Sequence, residues 1–457
     1  MADGMTKAAL LNAFSEEDVK AISDAIDIDE LTNLILELSN IYSPSTGEAE
    51  ASAFVHSWME REGFKPLSVG AVPHRQNVIG TYGGHGPGRN LLFTAHLDTE
   101  SEPSDPVVLA KTRRPSSVEN REWKECWLEE GKFYGYAVAN DRGPMSCMLM
   151  AAKALKKAGF DLAGRMYLTA CPGECGPEPI EERGGIDYMG KEIGAHYMFH
   201  HGGVAPDFAI AAEGTDFGVT WLGAGSCSFR VRIYGESIFR PLLKAPEKTA
   251  DHPSPLYKLG PVIEALHAWT RVYERLSAYD TKGGTCLPKA TISSIQGGFP
   301  YSGGTQICSL YIGCDLGPKQ KAADVLHSLE AVMRELPGVE FDVEPVNVYH
   351  GYEAQDDEIE PLVESIGAAV QSVKGHPVEK AKSVYSSMWR DHNVFNMHRI
   401  PALTFGPNRW RPTPQDFFDC TLMYALVALS ICGRMDERVQ ASSAKGVYGG
   451  MSNPFDS

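Results

Sequence analysis

The sequence predicts an α/β fold interrupted by a smaller α+β domain, and three observations carry that prediction. Apolar runs of strand length end in a histidine or lead to an acid at LLFTAH (91–96), RMYLTAC (165–171) and DFAIAAE (207–213), with helical spacing between them. From Trp221 to about His350 the pattern changes to a β-α-β-β-α-β order, which reads as a small antiparallel sheet with helices on one face. The 457 residues are too many for one ordinary core, and a hydrophobic content of 43% is enough to fill two.

The elements follow in order. Residues 16–66 read as helices broken by SPSTGEAE, whose Ser and Thr precede a new helix with acids in its first turn. Residues 74–215 alternate strand and helix patterns around a polar insertion at about 101–130 that carries Trp123 and Trp127. It reads either as a lid beside a site or as a surface loop. In residues 134–159 Asp141 sits at a helix mouth, Met148, Leu149, Ala152 and Leu155 keep helical spacing, and Lys156 and Lys157 close the last turn, where the dipole favours cations. The stretch from Trp221 holds the strand CSFRVRIYG, a helix around VIEALHAWTRVYERL, strands at ATISSIQGG and TQICSLYIGCDL, and a helix around AADVLHSLEAVMREL. The expected organisation is a catalytic domain in two parts, 1–216 and 351–435, an inserted domain at 217–350, and a tail at 436–457 rich in Ser, Gly and Asn.

The chemistry gathers where these strands end. His96-Leu97-Asp98 follows an apolar run, so an imidazole is presented with a carboxylate two residues on that can fix its tautomer and sharpen its basicity. Asp141 reads as a ligand or as an ordinary capping carboxylate. Glu174, in PGECG, stands on a turn after a buried strand, where a carboxylate suits a general base. Glu213 ends another apolar run. Doubly wound sheets gather their active sites at such carboxyl ends, and the joint order of these four positions is more informative than any one of them.

In that order the chain resembles the metal-dependent hydrolases that include carboxypeptidase G, aminoacylase, acetylornithine deacetylase and succinyl-diaminopimelate desuccinylase, from about Ile28 to Gly433. The matching positions are His96, Asp98, Asp141, Glu174, Glu213 in AEGTD, Asp391, and the late strand and Gly-Pro turn of IPALTFGPN (400–408). The resemblance implies a mixed-sheet catalytic domain with an inserted ferredoxin-like dimerisation domain, and hence a homodimer or higher homo-oligomer. It implies metal ligation by His96, Asp141 and Glu213, with Asp98 orienting His96 and Glu174 as the base. It also implies a histidine lent to the partner subunit by the inserted domain, for which His252 is the nearest match; an exposed loop histidine is the competing reading.

Two departures bear on the metal count. The family's second Glu after the base is Cys175 here, and after Gly406-Pro407 the sequence NRWRPTPQDFF lacks the family's terminal histidine. Both losses fall on the second metal, while three protein ligands and an open position satisfy one catalytic metal. The expectation is therefore one divalent transition metal, Mn, Zn or Co, with Cys175, His392, or Glu181-Glu182 as candidates to rescue a second. His200-His201 match no family ligand.

Arg390, Arg409 and Arg411, the last two flanking Trp410, would suit a carboxylate on a flat substrate; the competing reading is a surface ion pair for each. The expected reaction is hydrolysis of a C–N bond in a small carboxylate, including hydrolytic deamination of an aromatic amine such as 5-nitroanthranilate to 5-nitrosalicylate. A conventional two-metal aminoacylase or carboxypeptidase is the enzyme alternative, and a non-catalytic binding protein the alternative of another class. A net charge of −17 without long basic stretches argues against nucleic acid. No run approaches a membrane span, and the ten cysteines scattered through apolar runs suit reduced thiols in a cytoplasmic protein.

Overall fold

A computed structural model describes residues 14–99, 121–123, 125–176, 185–298 and 304–435. Its larger sheet has six strands, β1 (Leu67–Val72), β2 (Arg75–Gly83), β3 (Leu91–His96), β6 (Arg165–Cys171), β7 (Phe208–Ala212) and β16 (Ala402–Phe405), in the order β1-β2-β6-β3-β7-β16. β1, β2 and β6 pair antiparallel, whereas β3 runs parallel to β6 and to β7, and β7 parallel to β16. The sheet is mixed, as expected. Four strands point one way, so their carboxyl ends share an edge: His96 pairs with Cys171, and Ala212 with Phe405. β3 and β7 are buried at every residue, which is why they read as continuous apolar runs and not as alternating ones.

Helices surround this sheet. They are α1 (Glu16–Ala25), α2 (Ile28–Ser39), α3 (Ala49–Arg61), α4 (Gly143–Lys157), α5 (Ala195–His201), α8 (Asp356–Lys374), the short α9 (Ser383–Ser386) and α10 (His392–Met397), and α11 (Pro414–Cys432). α11 starts at a capping box in which Thr413 and Asp416 satisfy each other's backbone amides, and it packs against α4, α8 and α2. Among the described residues α11 is the one helix long and apolar enough to cross a membrane, but it is buried from Asp419 to Cys432 and belongs to the core.

The inserted part has a four-stranded antiparallel sheet of β9 (Gly225–Tyr234), β12 (Ala290–Gly297), β13 (Ile307–Leu316) and β14 (Glu340–Tyr349), in the order β12-β13-β9-β14. In β9 buried and half-buried residues alternate strictly. Phe229, Val231 and Ile233 face a core shared with Leu266 and Trp269 of α6 (Leu259–Leu276) and Leu329 and Met333 of α7 (Ala322–Arg334). The opposite face carries Arg230 and Arg232, paired with Glu344 and Asp342 of β14. This is the α+β unit the sequence predicts. Short two-stranded ribbons complete the molecule: β4 (Trp127–Glu129) with β5 (Lys132–Tyr134), β10 (Tyr279–Thr281) with β11 (Gly284–Cys286), and β8 (Leu222–Gly223) with β15 (Tyr352–Glu353), the last where the chain enters and leaves the inserted sheet.

Candidate metal centre

The carboxyl edge of the large sheet brings together three buried side chains of metal-ligating type from distant parts of the chain. His96 ends β3, Asp141 lies in the turn that leads into α4, and Glu213 follows β7; all three are at most 1% exposed. One ligand atom from each lies within 4.8 Å of the other two. His96 Nε2 is 3.1 Å from Asp141 Oδ2, and among the described residues neither His96 Nε2 nor either Asp141 oxygen has a hydrogen-bond partner. Burying unsatisfied polar atoms is costly, so three such atoms converging on one point fit a cation. Gly406 lets β7 and β16 close up beside this point, since a Cβ there would stand 2.2 Å from the carbonyl oxygen of Glu213.

Glu174 reaches the same point from the loop after β6, with Oε2 3.8 Å from His96 Nε2. That loop is tied to Asp98, whose carboxylate accepts from the amides of Glu174 (3.0 Å) and Cys175 (2.8 Å) and from the Ser45 hydroxyl (2.7 Å). Asp98 meets the imidazole differently from the sequence expectation. Its backbone carbonyl lies 2.6 Å from His96 Nδ1, while its carboxylate is 3.7 Å away because the loop amides engage it. Lys191 donates to the Glu174 carbonyl at 3.1 Å. The Cys175 sulfur lies 3.9 Å from His96 Nδ1, and His96, Glu174 and Cys175 form a second group with ligand spacing.

The three arginines take different places. Arg390 is buried with its guanidinium against the Glu213 carboxylate. Arg409 donates to Asn140 Oδ1 at 3.1 Å, beside Asp141, and lines a cavity of about 230 Å³ with Tyr136, Tyr385, Met388 and the exposed Trp410. Arg411 is held by both oxygens of Glu122, at 2.5 and 2.6 Å, and stacks over Tyr134.

The model of peptidase family M20/M25/M40 matches residues 92–430. The chain belongs to that family. Among curated proteins, the uncharacterized YgeY of Escherichia coli K12 is 22% identical over 432 residues, spanning 88% of this chain and 94% of that one. Among solved structures, the di-peptidase Dug1p of Saccharomyces cerevisiae superposes with a TM-score of 0.65 at 12% identity, covering 91% of this chain and 98% of that one. YXEP of Bacillus subtilis, a dinuclear metal binding peptidase from the M20 family, gives 0.56 at 14% identity, with 90% and 98% covered. As an M20 protein the chain is a metal-dependent hydrolase of the peptidase and amidohydrolase type, acting on C–N bonds.

The electrostatics of the M20 site follow from burial and crowding. Burial pushes the Asp141 carboxyl up to about 6, against the pull of the His96 and Arg390 charges. Burial works to lower the His96 imidazole, but Asp141, Glu174 and Asp98 outweigh it and lift the group to about 9. Asp391, buried beside Glu174, rises to about 7.

The remaining candidates lie elsewhere. His392 bonds Thr404 at 2.7 Å, and burial together with the Arg390 charge drives its imidazole down to about 3; it joins no ligand group among the described residues. His252 stacks on Tyr257 in the inserted part and accepts from the amide of Ser254. His200 and His201 pack against His398 and Tyr197. Glu181, Glu182 and residues 100–120 of the insertion lie outside the described residues. Sequence reasoning missed Arg142, fully buried and bonded to Ser43 and the Leu97 carbonyl directly behind the site. An arginine next to Asp141 and ahead of an apolar helix is the signal that could have found it.

Proposed function

We propose that this chain hydrolyses a C–N bond of a small carboxylate with a single divalent metal, manganese, zinc or cobalt, held by His96, Asp141 and Glu213. The observation that carries this reading is the convergence of His96, Asp141 and Glu213, all buried and with His96 Nε2 and both Asp141 oxygens unpartnered among the described residues, on one point that Glu174 also reaches. A divalent ion bound there supplies Lewis acidity, acidifying water and polarising the group under attack. Glu174 takes the proton of the attacking water and returns it to the departing nitrogen, because a general base must lie within a hydrogen bond of the proton it moves. Asp98 and Lys191 hold the Glu174 loop at the stated distance, through its amide and its carbonyl.

Arg409, with Nη1 unpartnered among the described residues, suits the substrate carboxylate. Tyr136, Tyr385 and Trp410 in the same cavity wall suit a flat ring. That favours an aromatic amino acid as substrate, with hydrolytic deamination of the kind that turns 5-nitroanthranilate into 5-nitrosalicylate. Arg411, engaged by Glu122, steadies the wall from outside. The inserted part, 217–350, is read as the dimerisation domain, and His252 as its contribution to the partner's site. With no disulfide among the described residues, cytoplasmic residence is the companion reading. A two-metal aminoacylase or carboxypeptidase is the second reading, favoured by the proximity of Glu174 and Cys175 to His96.

Exchange of Glu174 for Gln separates chemistry from binding. In the metal-loaded enzyme assayed with N-acyl amino acids and aminobenzoates, Glu174→Gln is expected to lower kcat by at least about 100-fold with metal content unchanged. Unchanged turnover would remove Glu174 as the base.

A further inference from the structure

We propose that Arg390 is a built-in cation that restricts this site to one metal ion. The proposal rests on the single-metal reading above and explains how such a site stays electrically balanced. Arg390 precedes α10, is 2% exposed, and lays its guanidinium against Glu213. Its Nε and Nη2 have no hydrogen-bond partner among the described residues, so Glu213 is the acceptor it engages there. Besides Glu213, the charges that act on it are the carboxylates of Glu174 and Asp141, which a second cation would need, together with the like charge of Arg409.

Charge balance gives the physical reason. Five carboxylates, Asp98, Asp141, Glu174, Glu213 and Asp391, and three guanidinium groups, Arg142, Arg390 and Arg409, lie around the ligand point. One divalent ion and the three guanidinium groups match those five charges. A second divalent ion would add two uncompensated positive charges beside a fixed one in a buried site, where Coulomb repulsion is weakly screened. The presence of Cys175 where the family has a glutamate, and the missing terminal histidine, fit a site in which a protein cation has taken over the role of balancing these carboxylates.

The test counts metal, independently of turnover. Wild-type enzyme, Arg390→Lys, Cys175→Glu and the double variant Cys175→Glu/Arg390→Gln are dialysed against saturating Mn²⁺. Bound metal is then measured by mass spectrometry, and Mn–Mn coupling by electron paramagnetic resonance. Wild type, Arg390→Lys and Cys175→Glu are expected to bind one equivalent without coupling, and the double variant nearly two with an exchange-coupled signal. A folded double variant that still binds one overturns the proposal. So does Cys175→Glu binding two with Arg390 in place, a result that does not depend on the double variant folding. Two equivalents in the wild type would instead overturn the single-metal reading itself, so the two failures are distinguishable.

Discussion

Asp98 turns its carboxylate to the loop after β6 and its carbonyl to His96, so one residue positions both the imidazole and the Glu174 loop. Removing its charge weakens two charge-assisted amide bonds while leaving every ligand atom in the chain. Asp98→Asn is expected to lower kcat by roughly 10- to 100-fold, with KM changed less than kcat; steady-state kinetics on the metal-saturated variant check this. At this scale the sequence was most informative where a polar group ends a buried run. His96, Glu174 and Glu213 stand out because nothing else in such a run calls for a charge. The contact of Arg390 with Glu213 was not legible, since an ion pair between a strand end and a segment far along the chain leaves no periodic trace. Nor was the division of labour within Asp98, because spacing places a side chain on a face without saying which of its atoms finds a partner first.

The helices and strands were largely legible, because burial on one or both faces writes a period into them. β9 alternates, β3 and β7 are unbroken, and α6 and α7 each present one apolar stripe to the small sheet. Less legible was the direction of pairing: β1, β2 and β6 pair antiparallel in the same sheet in which β3, β7 and β16 run parallel, and apolar runs look alike either way. α11 shows how an element's end matters to the site. Thr413 caps it, and Pro412 just before it accepts the amide of Phe133 in the cavity wall. Thr413→Ala is expected to destabilise the fold by about 1 kcal/mol, read as a lowered denaturation midpoint in urea at unchanged slope.

For the molecule as a whole, buried neutral histidines set an acid limit. His392 is held down to about 3 from an ordinary 6.5, by burial first and then by Arg390, and burial takes His196 to about 4. Above pH 6.5 His392 is neutral in both folded and unfolded chains, so its contribution is fully present. As pH falls from there towards 3 the unfolded chain takes up a proton that the folded one refuses, and stability is lost at up to about 1.4 kcal/mol per pH unit for this group. His392→Asn is expected to flatten the dependence of unfolding free energy on pH between 6 and 4, as measured by denaturant titration; an unchanged slope would show that the imidazole is not held neutral.

The pairing of β7 with β16 also has a consequence during synthesis. When β7 leaves the ribosome, its outer backbone groups have no strand beside them, and the one that will cover them follows only after the inserted sheet and α8 have been made. At ordinary translation rates that wait is on the order of ten seconds or more. For that interval the nascent half-sheet presents an apolar border whose backbone groups still lack their strand, beside a site that Arg390 has yet to reach.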